Sequence, residues 1–154
     1  MILHRPVDLV EITFDEVVGF NRKAITNARQ RDLACKEIHS ISPSGENKLR
    51  SALGSIFYRD YQGIYLNLPI EKVAALLLHR IAEGQCFENG NKRTALLSCY
   101  FFLWNNGYRL EIDQGRVNDL LWGFAKDEND PTKPPRFDEQ DAQQYIERHL
   151  MFRS

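Results

Sequence analysis

The sequence predicts an all-α domain: a helical bundle that holds one polar loop at its end. Three observations lead there. Two strongly apolar patterns of helical period, from Val73 to Ile81 and from Ala95 to Trp104, flank a single polar stretch. Helix start and stop signals recur along the chain, among them Thr13-Phe14-Asp15-Glu16, Asp113, Asp138 and Asn105-Asn106-Gly107. A length of 154 residues fits a single domain, 1–154, able to bury a real core.

Thr13-Phe14-Asp15-Glu16 reads as a capping box, with Glu16 placed to reach back to the Thr13 amide. It opens a first helix to about Arg29, with Phe14, Val17, Val18 and Ile25 on one face. Arg31 to Ser40 supports no single assignment. Ser42-Pro43-Ser44-Gly45 reads as a loop, since Pro and Gly disfavour helix, and a second helix spans Glu46 to Tyr58. Its inward residues are Leu49, Ala52, Leu53 and Ile56. Tyr58 to Leu68 has three tyrosines, one glycine and little helical period, which suggests a short flap or hairpin near 58–68. Pro69 suits the first turn of a third helix. That helix is central, because Val73, Ala74, Leu76, Leu77 and Ile81 make it nearly apolar.

A fourth helix runs from about Asn91 to Asn105, apolar nearly all round, and stops at Asn106-Gly107. Tyr108 to Ile112 reads as a short extended piece, and Asp113 caps a fifth helix to about Lys126. Asp127 to Pro135, with its prolines, is a loop. Asp138 caps a last helix through His149, packed through Phe137, Ala142, Tyr145, Ile146 and Leu150.

Apolar content of 43% and charged content of 27% are ordinary for a globular protein. A net charge of −1 argues against direct nucleic-acid binding and against a membrane-surface role. Cys35, Cys86 and Cys99 are odd in number and lack paired metal spacing, so a reduced, cytoplasmic protein is expected. Met1-Ile2-Leu3 runs at once into His4, Arg5 and Pro6, which is no signal peptide.

Chemistry concentrates between the third and fourth helices, in Gly84-Gln85-Cys86-Phe87-Glu88-Asn89-Gly90-Asn91-Lys92-Arg93-Thr94-Ala95. Asn89-Gly90-Asn91 is a turn signal, since Gly and Asn tolerate positive φ. A turn feeding a helix start presents backbone N–H groups and the positive end of the helix dipole. Lys92 and Arg93 are electrostatically misplaced there unless an anion joins them, which points to phosphate. The competing reading is an ordinary helix start.

The same residues carry a resemblance. Gln85 to Ala95 resembles the signature loop of the Fic/Doc (Fido) family, written His-x-Phe-x-Asp/Glu-Gly/Ala-Asn-Gly/Lys-Arg, and its Asn-Lys-Arg-Thr-Ala ending resembles the Doc (death-on-curing) branch. The likeness extends to Glu46–Leu53, Glu71–Leu77 and Phe102–Tyr108. It implies a helical protein that binds a nucleoside triphosphate with Mg²⁺ and moves AMP, or in Doc the terminal phosphate, to a protein hydroxyl. It also implies a toxin's partners: a protein target, in Doc's case a translation factor, and an antitoxin-like inhibitor. By resemblance Gly90, Asn91, Lys92 and Arg93 would form the phosphate and nucleotide site, with Arg93 neutralising the outer phosphates. Lys92 stands where AMP-transferring members have Gly. Phe87 would anchor the loop in the core.

Two positions depart from that pattern. Gln85 stands where the family has its general base, and an amide orients a hydroxyl but takes no proton from it near neutral pH. Asn89 stands at the acidic, Mg²⁺-binding position and offers a neutral carbonyl to a hard cation. Cys86, His79 and Glu88 are the candidate replacements, Cys86 reading more readily as a small loop filler. Ser42 to Asn47 also fits the family's autoinhibitory pattern, although Pro43 and Gly45 favour an ordinary loop. Three functions follow: a Doc-like transferase with impaired catalysis, a non-catalytic nucleotide- or antitoxin-binding relative, or other chemistry on a phosphorylated substrate.

Overall fold

The computed structural model describes residues 9–31, 41–124 and 137–153. Among them run six helices, α1 (Phe14–Arg31), α2 (Pro43–Ile56), α3 (Ile70–Gly84), α4 (Asn91–Asn105), α5 (Gln114–Phe124) and α6 (Glu139–His149). Two short strands, β1 (Tyr108–Leu110) and β2 (Leu150–Phe152), pair antiparallel with Tyr108 opposite Phe152. The all-α expectation holds. The unassigned 31–40 stretch beyond Arg31, the 127–135 loop, the Lys126 helix end, and His4, Cys35 and His39 lie outside the described residues.

The caps fall where the sequence puts them. Thr13 N–H donates to Glu16 Oε1 (3.1 Å) while Glu16 N–H donates to Thr13 Oγ1 (3.2 Å), the reciprocal pair that starts α1. Asp138 and Asp141 form the equivalent box at α6, and Asp113 Oδ1 accepts from Arg116 N–H at α5. The α6 packing face is as expected: Ala142, Tyr145 and Ile146 are buried, with Phe137 and Leu150 partly so.

One start is misplaced by the sequence. Ser42-Pro43-Ser44-Gly45 is not a loop; Ser42 is the N-cap of α2 and its Oγ accepts from Gly45 N–H at 3.0 Å. Pro43 sits at the first helical position, where its missing N–H has no helical partner to lose and its fixed φ fits. Gly45 is buried against the carbonyl of Cys86. A tertiary contact, not propensity, thus decides the residue type there. The helix also ends at Ile56, two residues before the expected Tyr58.

α3 is the centre, touching α2, α4, α5 and α6. Val73, Leu77, Leu78 and Ile81 are fully buried on it, each contributing about 1.5–3 kcal/mol. α4 packs along α3 and against α1, where Phe20 stacks on Phe101 at 5.1 Å. The α4 stop is made at Asn106. Its side chain accepts from Val10 N–H (2.7 Å) and donates to Phe102 O (2.7 Å) and Val10 O (2.9 Å), while Gly107 turns out with φ 88°.

The 58–68 stretch is a small hairpin-like flap, bridged between Arg59 and Tyr65. An Asp60 side chain accepting from the N–H groups of Gln62 and Ile64, with Gly63 at φ 80°, makes its turn without a two-residue signal. Tyr65 is buried beneath it, bonded through its hydroxyl to Glu11 (2.7 Å) and to Arg59. Among the described residues no helix is long and apolar enough to cross a membrane.

Candidate functional site

The loop between α3 and α4 turns twice through left-handed backbone. Gln85 leaves α3 at φ 51°, ψ 43°, and Gly90 enters α4 at φ 75°, ψ 16°. A side chain at Gly90 would be strained by that φ and would lie 3.3 Å from the Asn21 amide nitrogen and 3.4 Å from Ile25. Between the turns, Phe87 is buried and anchors the loop in the core, as the resemblance implies.

Asn91 ties the loop to itself. Its Oδ1 accepts from Phe87 N–H (3.0 Å) and its Nδ2 donates to Phe87 O (2.8 Å) and, at 3.4 Å, to Gln85 Oε1. The side chain is 7% exposed and committed to the backbone. What Asn91 leaves for an anion is its main chain. In α4 the Thr94 N–H is the first to bond back, to Gly90 O at 2.9 Å, so the turn before it forms the N-terminal end of the helix and of its dipole. The first turn carries two cations and no acid, with Lys92 half-buried and Arg93 exposed.

Gln85 is exposed, and its Nε2 donates to Ala82 O at 3.4 Å. Asn89 is exposed too, and its Oδ1 accepts from Gly90 N–H at 2.8 Å. As a metal ligand it provides one neutral oxygen already engaged by that N–H, and no cluster of three or more His, Cys, Asp or Glu suited to a metal occurs among the described residues. At this position the chain brings a cation no charge.

The candidate replacements separate in space. Burial pushes the Cys86 thiol up from its ordinary pKa, against the weaker pull of Lys48. It is a protonated filler, and the cation that acts on it is neither Lys92 nor Arg93. His79 stands between Glu83 (Nε2–Oε2 2.6 Å) and Glu139 (Nδ1–Oε1 3.6 Å). It lines a hollow of about 510 Å³ between α2, α3 and the start of α6, shared with Lys48, Ser51 and Arg80. Among the described residues, Gly84 and Cys86 bring that hollow to the loop, and Asn91, Lys92 and Arg93 do not line it. Glu88 remains on the loop itself, exposed. Glu46, at the acidic position of the autoinhibitory pattern, is helical and pairs with Arg50 at 3.0 Å rather than with Arg93.

Sequence reasoning missed three supports of the loop. Asn21, 1% exposed on α1, donates from Nδ2 to Asn89 O (2.9 Å) and to Thr94 Oγ1 (3.1 Å). Thr94 in turn donates to Gly90 O at 2.7 Å. Gly45 seats the Cys86 carbonyl. Only an Asn at helical spacing between the apolar Val17 and Ile25 hinted at the first.

The sequence model of the Fic/DOC family matches residues 11–103, more than half of the chain. The chain belongs to the Fic/DOC family. The matched span runs from the residues before α1 almost to the end of α4, so it includes Asn21, the flap and the whole loop. A search of curated proteins finds no match to this Fic/DOC chain.

Proposed function

We propose that this Fic/DOC protein binds the phosphates of a nucleoside triphosphate at the Gln85–Arg93 loop, as the Doc branch does. Transfer of a phosphoryl or AMP group to a protein hydroxyl is then slow or lost. The observation that carries the reading is the first turn of α4: a helix N-terminus with two cations and no acid, on a loop fastened from both sides. In this reading the main chain of Asn91 faces phosphate, and Lys92 and Arg93 neutralise it. Any Mg²⁺ arrives with the nucleotide and is held by phosphate oxygens, with Asn89 offering at most one carbonyl.

The chemistry lacks the family's imidazole base. Gln85 cannot take the acceptor's proton, the Cys86 thiol is buried and protonated, and His79 lines the hollow between α2, α3 and α6. Loss of a general base costs about 10²–10⁴-fold in rate. The same observation favours a second reading, a non-catalytic relative that holds nucleotide, an antitoxin-like inhibitor or a protein target without modifying it.

Thermal melts with ATP, GTP, CTP and UTP, each with Mg²⁺, test the binding claim. Saturation at 100 times the dissociation constant adds about 2.7 kcal/mol, and Arg93→Ala should abolish most of the shift. If none of the four nucleotides moves the wild-type transition, the nucleotide site is refuted. A shift with inorganic pyrophosphate alone would instead indicate another phosphorylated substrate.

A further inference from the structure

The fold carries a device beneath the loop that the family motif does not contain. Asn21 lies on α1, 68 residues from Asn89 and 73 from Thr94, yet its one amide nitrogen bonds to both. It is nearly inaccessible, at 1% exposure, in a helix whose other buried neighbours are Val17, Ala24 and Ile25. A buried amide among apolar side chains is retained at a cost unless its bonds are made, and here they are made to the loop. The absent side chain of Gly90 is what leaves room, since a Cβ there would come within 3.3 Å of Asn21 Nδ2.

The geometry points to Asn21 as a positioning residue: it draws the carbonyls of Asn89 and, through the Thr94 hydroxyl, Gly90 inward, and so sets the outward direction of the phosphate-facing amides. The two ends of a trans peptide point opposite ways. With the Asn89 and Gly90 carbonyls bonded beneath the loop, the N–H groups of Gly90 and Asn91 are turned to its other side. Gly90 N–H is caught there by Asn89 Oδ1 at 2.8 Å. Asn91 fixes the opposite flank through Phe87, so the loop is pinned at two places by two amides from different helices. The proposal rests on the phosphate reading for its purpose but not for its geometry.

Two arms of one experiment separate those claims. Asn21→Leu keeps the shape and removes both donors; Asn21→Asp keeps the shape and sets a carboxylate against the Asn89 carbonyl. Amide hydrogen exchange, corrected for intrinsic rates, should show protection at Phe87, Gly90 and Thr94 falling about tenfold or more, with α3 and α6 unchanged. The Gly90 amide resonance should move in both variants. Binding of Mg·ATP should weaken by about the same factor. Should either variant fail to fold, Thr94→Val removes the second arm of the clamp and is read at the same amides. Loop protection and the Gly90 resonance unchanged in these variants, or protection lost equally across α3 and α6, overturns the positioning role. If wild type binds no Mg·ATP, the phosphate reading falls while the exchange arm still decides the role of Asn21.

Discussion

Two glycines of α2 should respond to the same substitution with opposite signs. A Cβ on Gly45 would come far inside van der Waals contact distance of the Cys86 carbonyl oxygen and lie 3.0 Å from the Cys86 carbonyl carbon and 3.1 Å from Ile41. The obstacle is backbone of the motif loop, so it cannot swing aside as a side chain tip would. Overpacking of this kind costs about 1–3 kcal/mol, and a rigid carbonyl argues for the upper end. The gain in helix propensity returns at most about 1 kcal/mol. Gly45→Ala should therefore lose about 2 kcal/mol, a Tm fall of about 4–8 °C for a domain of this size. At Gly54 nothing lies within 4 Å of the added carbon, and the position is exposed. Gly54→Ala should gain about 0.5–1 kcal/mol. Paired thermal and urea melts are the assay. If Gly45→Ala melts at or above wild type alongside Gly54→Ala, the seating of the loop on α2 is wrong.

Other outcomes follow from the same structure. Gln85→His should raise transfer of labelled phosphate or nucleotide to a protein acceptor, by about 10²-fold or more where proton removal limits, and His tolerates the left-handed backbone at that position. Gln85→His with Asn89→Asp should exceed either change alone; efficient wild-type transfer that survives Gln85→Ala would refute the base argument. Burial pushes the Cys99 thiol up to about 12 from 9.0, and Tyr65, Tyr108 and Tyr145 are raised too, mainly by burial. Folded pKa values above unfolded ones give stability that is full below pH 9 and lost as pH climbs toward 12, so the urea midpoint should fall through that window; a flat alkaline limb contradicts it. Asp138 is the reverse case. The Asp141 N–H holds its carboxyl below 3.8, so its contribution is present above that value and lost in acid. The Asp141 amide signal should report α6 fraying from about pH 4 downward, and Asp138→Asn should flatten that profile.

What the sequence could disclose depended on how local the cause was. The Thr13–Glu16 box, the Asp138 cap and the bounds of α4 were legible because each is decided within a few residues. The start of α2 was not, because Pro43 and Gly45 argue against helix locally while a first-turn position and the Cys86 carbonyl overrule them. β2 escaped notice because three residues directly after α6 show no alternation, and their pairing with Tyr108–Leu110 is made across 40 residues. In the loop, the identity and charge of Gln85, Lys92 and Arg93 could be read directly. The inward commitment of Asn91 and the support from Asn21 could not, since both arise from which carbonyls the fold brings near an amide.

The β1–β2 ribbon has a practical use. It follows α4 directly, and fifteen residues at 1.5 Å each put it about 22 Å from the loop that opens that helix. Met151 is 41% exposed there. A fluorophore introduced through Met151→Cys would therefore sit about 22 Å from the proposed phosphate-binding loop. Any change in its emission when nucleotide is added would report a rearrangement carried through the helices packed on α4, at a distance from the loop itself.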